Sequence, residues 1–264
     1  MKREDARIYI IFHRAVEYGL WEDNALYSPL QVGFDVRFLS TEVRDSDSPE
    51  SIAEWNGLYA ENTGIYWIWK NRPAGLKYVG NCQYRRRLEF GEDFDFDGLF
   101  KDYDVIAASP LIVFPNLALQ YMRCHSTGDL PIVRDIIEEE YPEYLSDFDQ
   151  YIMSGRFIFY SNGFVMRSED YDRYCEFLFN ILERFKEIKG WNTPQEAILK
   201  IDQEIADGKR AGIDGHIGTD NKEGNGYQHQ VPAFLSERLL SLFIRHNFEP
   251  NKIYLKPYTK YENI

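Results

Sequence analysis

Three consecutive arginines follow a tyrosine at Tyr84-Arg85-Arg86-Arg87, a run of cations found nowhere else in this acidic chain. Guanidinium groups match phosphate oxygens two at a time and stay charged at any relevant pH. Beside a diphosphate leaving group they would neutralise the charge that builds as the bond breaks. The run follows LKYVGNCQ (76–83), which reads as a buried strand, and ligands of layered α/β folds gather at the carboxyl ends of strands. The same residues also fit a solvated basic turn facing the acidic stretch 89–97, and spacing alone does not choose between the two.

Other residues could carry chemistry. Asp93, Asp95 and Asp97 alternate in GEDFDFDG and could hold a divalent cation. They follow the arginines in a polar turn, however, so an exposed acidic loop is the better expectation. Glu237 and Arg238 open the last helix in an apolar setting, where a charge needs a partner. The pair is either structural or presents Glu237 as a general base toward an acceptor hydroxyl. The five histidines are scattered without the i, i+4 spacing of a zinc site. His13, at the end of the first strand, and His125, in a loop, could touch a ligand or be satisfied structurally. The glycine spacing from Gly212 to Gly226 matches neither a dinucleotide fingerprint nor a P-loop. No serine has the GxSxG context of a hydrolase elbow.

Composition narrows the partners. With 30 basic and 43 acidic residues the formal charge is −13, so the chain would repel nucleic acid and is a poor match for an anionic membrane surface. The 19 Tyr, 18 Phe and 5 Trp suit sugar faces, although a ring-rich core explains most of them. Three cysteines without CxxC, after a charged N-terminus unlike a signal peptide, point to reduced thiols in a cytoplasm. The longest apolar stretch, 105–119, is interrupted by Pro110 and Pro115 and is too short to cross a bilayer. Any membrane contact is therefore expected to be peripheral.

The elements that must position these residues alternate. Strands are predicted at 7–12, 76–83, 103–108 and 157–166, with a terminal one at 253–255. Helices are predicted at 54–71, 130–140, 143–153, 168–188 and 232–246, the fourth capped by Ser168-Glu169-Asp170. This order argues for a layered α/β chain around a central sheet. No linker divides it, so one unit over 1–264 is expected, with a lid or insertion at 191–226.

Several stretches, in order, carry a resemblance: IYIIFH; Asn56 through Asn71 with Tyr59, Glu61, Thr63, Tyr66-Trp67 and Trp69; YVGNCQYRRRL; His125 through YPEYL; SNGFVMRSEDYDRYCEFLF; and FLSERLL. Together they resemble bacterial glycosyltransferases of capsular polysaccharide, exopolysaccharide and O-antigen assembly, a family long catalogued as a domain of unknown function and including galactofuranosyltransferase-like members. The resemblance implies a GT-A-like fold, a central mixed sheet flanked by helices. It also implies transfer of a sugar from a nucleotide-diphosphate donor, a UDP-sugar such as UDP-galactofuranose, to a glycan or lipid-linked acceptor. On this reading His13, Tyr84, Arg85 and Arg86 hold the diphosphate, while Tyr66, Trp67, Asn162 and His125 contact sugar and Glu237 is the catalytic base. No cofactor is certain: a divalent metal is left open without the support of a well-placed DxD, and no metal ligand is assigned, since no acidic pair ends YDVIAASP where such enzymes place theirs. Two departures stand out: Gln83 replaces a histidine, which removes any titrating role there, and Gln230 replaces an arginine. The alternative is a non-catalytic carbohydrate-binding or scaffold protein of polysaccharide assembly.

Overall fold

The computed structural model describes residues 5–13, 25–33, 43–91, 93–211 and 224–261. The RIYIIF segment lies in strand β1 (Ala6–Phe12). Its side chains alternate between two cores, Ile8, Ile10 and Phe12 on one face and Tyr9 and Ile11 on the other, as the two-residue period of a strand requires. Burial on both faces is why the run reads as continuously apolar. Strands β2 (Tyr27–Gln31) and β3 (Tyr78–Gln83) flank β1, both parallel to it. Pro29 interrupts the strand pattern of β2, which pairs with β1 along its length and bridges to Arg44 only at Gln31, so the missing N–H at Pro29 is tolerated.

β3 then turns back through Tyr84-Arg85 into β4 (Arg86–Arg87). The remaining strands are β5 (Val105–Ala108), β6 (Leu111–Ile112), β7 (Phe157–Ile158), β8 (Phe164–Arg167), β9 (Ile253–Lys256) and β10 (Thr259–Lys260). The main sheet runs β2-β1-β3-β8-β5-β9, with β4 and β10 extending it beyond the end of β3. β8 is antiparallel to both β3 and β5, which makes the sheet mixed. Gly80 permits the close approach of β3 and β8, because a Cβ there would lie 2.7 Å from the Phe164 carbonyl oxygen.

Helices cover the faces. α1 (Asn56–Tyr59), α2 (Asn62–Asn71), α5 (Asp129–Glu140), α7 (Ser168–Ile188) and α9 (Val231–Asn247) bury apolar residues against Tyr9, Ile11, Val79 and Phe164. On the other face α3 (Phe96–Asp102), with Phe90, covers Ile8, Ile10 and Val165. α4 (Leu117–Cys124), α6 (Leu145–Asp147) and α8 (Pro194–Ala206) complete the described helices of the α type.

Four expectations change. The 54–71 helix is broken at Ala60, whose φ is +47°, so Glu61 starts a new helix instead of lying inside one. The 157–166 strand is two strands separated by a turn at Ser161-Asn162-Gly163. The acidic stretch is not all loop: Asp95 accepts from the Gly98 amide at 2.9 Å and caps α3. Finally, Arg167 and not Ser168 occupies the cap of α7, while the Ser168 hydroxyl donates to the Leu76 carbonyl.

Candidate functional site

Two backbone irregularities create the site. The break at Ala60 frees Glu61 to turn inward at the start of α2, where the helix N-terminus favours a carboxylate. The turn between β7 and β8 holds Ser161 at φ +62° and Asn162 at φ +46°. Positive φ at consecutive non-glycine residues is costly and concentrates where function requires it. Gly163 completes the turn, because a Cβ there would sit 2.1 Å from the Tyr258 hydroxyl.

These pieces meet in one polar network. Asn162 Nδ2 donates at 3.0 Å to Glu61 Oε1 and at 3.0 Å to Ser236 Oγ. Gln83 Nε2 donates to the same Glu61 oxygen at 3.0 Å, and Gln83 Oε1 accepts from Arg86 at 3.3 Å. Asn62 also donates to Ser236, at 3.0 Å. One residue further along α9, Glu237 Oε1 accepts the Ser161 amide at 2.8 Å, and its other oxygen accepts from Arg238 at 3.3 Å. Arg238 in turn donates to Gln120 at 2.9 Å. A continuous path thus joins the end of β3 to the start of α9 through the Asn162 turn.

The electrostatics of the path centre on Glu61. Its pKa is raised, chiefly because burial penalises the carboxylate and then because the Glu237 charge repels it; the donors Asn162 and Gln83 oppose the shift. Glu61 still keeps part of its surface open. A carboxylate surrounded by protein yet reachable from one side is suited to accept a proton from a bound hydroxyl. Gln83 serves Glu61 and Arg86 at once by using the donor and acceptor ends of its amide. A protonated histidine there could not accept from Arg86, so the amide keeps the bridge at every pH.

The three arginines part company. Arg85 is exposed near the Tyr84 ring, its guanidinium carbon 5.4 Å from the ring centre. Arg86 is half-buried and faces Gln83 and the Tyr160 ring. Arg87 is buried, donates to the Tyr84 carbonyl at 3.1 Å and lies 3.7 Å from the centre of the Tyr261 ring. Desolvation lowers its pKa. His13 stands exposed at the end of β1 with its ring edge-on to Tyr84, 5.5 Å away. His13, Tyr84, Arg85 and Arg86 are therefore gathered at the carboxyl ends of β1 and β3, while Arg87 is part of the packing.

Of the residues expected to contact sugar, Asn162 lies in the network. The others lie elsewhere: Tyr66 packs edge-on against Phe179 at 5.0 Å, Trp67 against Tyr9 at 6.3 Å, and buried His125 stacks on Phe234 at 3.9 Å. Gln230 precedes α9, its backbone N–H donating to the Tyr227 carbonyl. Asp97 is engaged by the Tyr78 hydroxyl at 2.8 Å and by Lys77. Among the described residues no three acidic, histidine or cysteine side chains cluster as metal ligands. The glycines 212, 215 and 218 of the expected lid lie outside the described residues.

Glu61 and Ser236, with Asn62, Ser161 and Gln120 beside them, are the members that the sequence patterns did not single out. Glu61 was visible only as one letter of a motif, because its role depends on a helix break that its neighbours conceal. The Asn162-Gly163 dipeptide is a turn signal in its own right, and it marks where the 157–166 run had to break.

A mixed sheet between helical layers, with polar groups converging at the carboxyl ends of its parallel strands, defines a GT-A-like α/β fold. The family model described as Domain of unknown function (DUF4422) matches residues 7–197, and the chain belongs to this family. It is also similar to the apo structure of WbbM, a bifunctional glycosyltransferase, with a TM-score of 0.72 at 22% sequence identity. That alignment covers 98% of this chain and 46% of the WbbM chain, so the chain spans less than half of that protein's length. No curated protein matches the sequence.

Proposed function

We propose that the chain is a glycosyltransferase that moves a hexosyl group from a nucleotide-diphosphate donor, UDP-galactofuranose or another UDP-hexose, to a growing surface polysaccharide or lipid-linked glycan. The observation that carries this reading is the coupled carboxylate pair Glu61 and Glu237, joined through the Ser161-Asn162 turn and set beside Arg86. The fold shared with a glycosyltransferase supports it.

In the proposed reaction an acceptor hydroxyl gives its proton to the carboxylate pair as its oxygen bonds to the anomeric carbon. The bond from that carbon to the diphosphate breaks, and its electron pair leaves on the nucleotide. Glu61 is the member whose raised pKa suits proton acceptance, and Glu237 keeps a direct role beside it on the acceptor side. Arg86, with exposed Arg85, neutralises the departing diphosphate, and His13 and Tyr84 border that subsite. Asn162, fully buried and with its amide donating to Glu61 and Ser236, holds the carboxylate in place. The reaction belongs in the cytoplasm, beside the membrane face that presents the acceptor. No described helix is long and apolar enough to cross a membrane.

Thermal shift against nucleoside diphosphates, UDP-sugars and oligosaccharides tests the reading. Ligand at one hundred times its Kd stabilises the folded state by about 2.7 kcal/mol. UDP or a UDP-hexose is expected to raise the melting temperature, and Arg86→Ala is expected to reduce that rise. A response to oligosaccharide alone would favour a carbohydrate-binding protein, and no response to any nucleotide would overturn the proposal.

A further inference from the structure

The small two-stranded ribbon of β6 and β7, whose strands lie far apart in sequence, carries apolar side chains into solvent. Ile112 is 58% exposed, Phe114 70% and Phe157 59%, with Leu111 on β6 and Leu119 on the adjoining α4 also exposed. Isolated exposed apolar residues are ordinary, but a contiguous group of large ones marks an interaction surface. Behind it lies an apolar cavity of about 270 Å³ whose walls include Tyr151, Phe157, Phe159 and Leu255, together with Arg156 and Arg245.

Charge identifies the occupant. About one residue in six of this chain is acidic, yet residues 105–128 and 150–168, the two segments that supply β6, β7 and their flanks, contain neither Asp nor Glu. They do contain Arg123, exposed on α4, and Arg156, whose guanidinium lies 5.4 Å from the Phe114 ring centre. The net charge of −13 therefore conceals a local face that is apolar and cationic. We propose that this face docks on an anionic bilayer, with Ile112, Phe114 and Phe157 entering the interface and Arg123 and Arg156 meeting lipid phosphates. Apolar insertion combined with attraction to anionic headgroups is the physical basis of interfacial binding. From Phe157 the chain reaches the Ser161-Asn162 turn in four residues, so docking would set the candidate site close to the membrane surface. The surface does not depend on the proposed activity, and its test does not use it.

Flotation with vesicles of phosphatidylcholine, alone or mixed with phosphatidylglycerol, reads the proposal directly. The chain is expected to float with the mixed vesicles, to bind phosphatidylcholine alone at least tenfold more weakly, and to release as salt rises. Arg123→Gln and Arg156→Gln are each expected to lower the partition coefficient about fivefold, the equivalent of roughly 1 kcal/mol per basic residue near an anionic surface. Phe114→Ser with Phe157→Ser should abolish flotation, and circular dichroism should show the fold intact because both rings are exposed. The proposal is overturned if the unaltered chain does not float with mixed vesicles, or if the double serine variant floats equally well. It is also overturned if sedimentation shows a dimer that the serine variant dissolves, since the face would then belong to a second copy of the chain.

Discussion

Replacing Glu61 with glutamine separates what the carboxylate does for structure from what it does for chemistry. Both side-chain donors to this residue, from Gln83 and Asn162, end on Oε1 at 3.0 Å, and an amide oxygen can accept both. Hydrogen bonds to a charged group contribute about 1.5–3 kcal/mol and neutral ones about 0.5–1.5, so two weakened bonds cost roughly 2 kcal/mol. Against this, the amide escapes the burial penalty and the repulsion from Glu237 that raise the carboxyl pKa. The two effects oppose each other, and the net stability change is expected to stay within about 2 kcal/mol. Its pH dependence has a definite sign. A raised folded-state pKa means the folded protein binds the proton more tightly, so the wild type loses stability as pH rises from near 4.5, the ordinary glutamate value, through the higher folded value. The amide of the Glu61→Gln variant does not titrate, and the comparison should shift in the variant's favour over that window, as read by urea unfolding followed through tryptophan fluorescence. Activity should respond quite differently. Loss of a general base lowers turnover by about 10²–10⁴, or roughly 2.7–5.5 kcal/mol. A variant that keeps more than about a tenth of wild-type transfer would refute the catalytic assignment. One destabilised by more than about 4 kcal/mol would show that the network reasoning is wrong.

Two further contrasts follow from the same geometry. Arg87→Ala removes a buried hydrogen bond and the contact with Tyr261, and should destabilise the fold by about 3 kcal/mol. Arg86→Ala should cost less than about 1 kcal/mol of stability while weakening nucleotide affinity; equal effects in unfolding and in calorimetric titration would dissolve the distinction. Asp45 accepts the Gly33 amide at 3.1 Å and is pushed up by burial from 3.8 to about 6. Its ionisation therefore destabilises the folded state as pH rises across that interval, by up to about 3 kcal/mol. Asp45→Asn should gain about that much relative to wild type between pH 4 and pH 8, and a difference that stays flat with pH would contradict the burial argument.

Much of the architecture was legible because local patterns and the tertiary context agree. The apolar run of β1, the amphipathic α7 and the proline that opens α9 each occupy nearly the span their residues imply. The short elements were not legible. β4, β6, β7 and β10 have two residues each, too few to show a period, and exist only because a neighbouring strand satisfies their backbone. Glu237 and Asn162 could be selected as candidates by residue type, but their partnership spans Ser161 and Ser236, which nothing local connects to Glu61.

The sequence by itself determined that a layered α/β chain would form and that three arginines would leave the end of a strand. Strand and helix periods and the acidic balance are local or additive properties, so they survive without knowledge of the fold. The tertiary structure decided what each arginine does. A two-residue strand sends alternate side chains to opposite faces, so one basic run is divided into exposed Arg85, network-facing Arg86 and buried Arg87. It also decided that Glu61 is a site residue. The strained turns at Ala60 and Asn162 are stable only where surrounding packing holds them, and that packing comes from segments far apart along the chain.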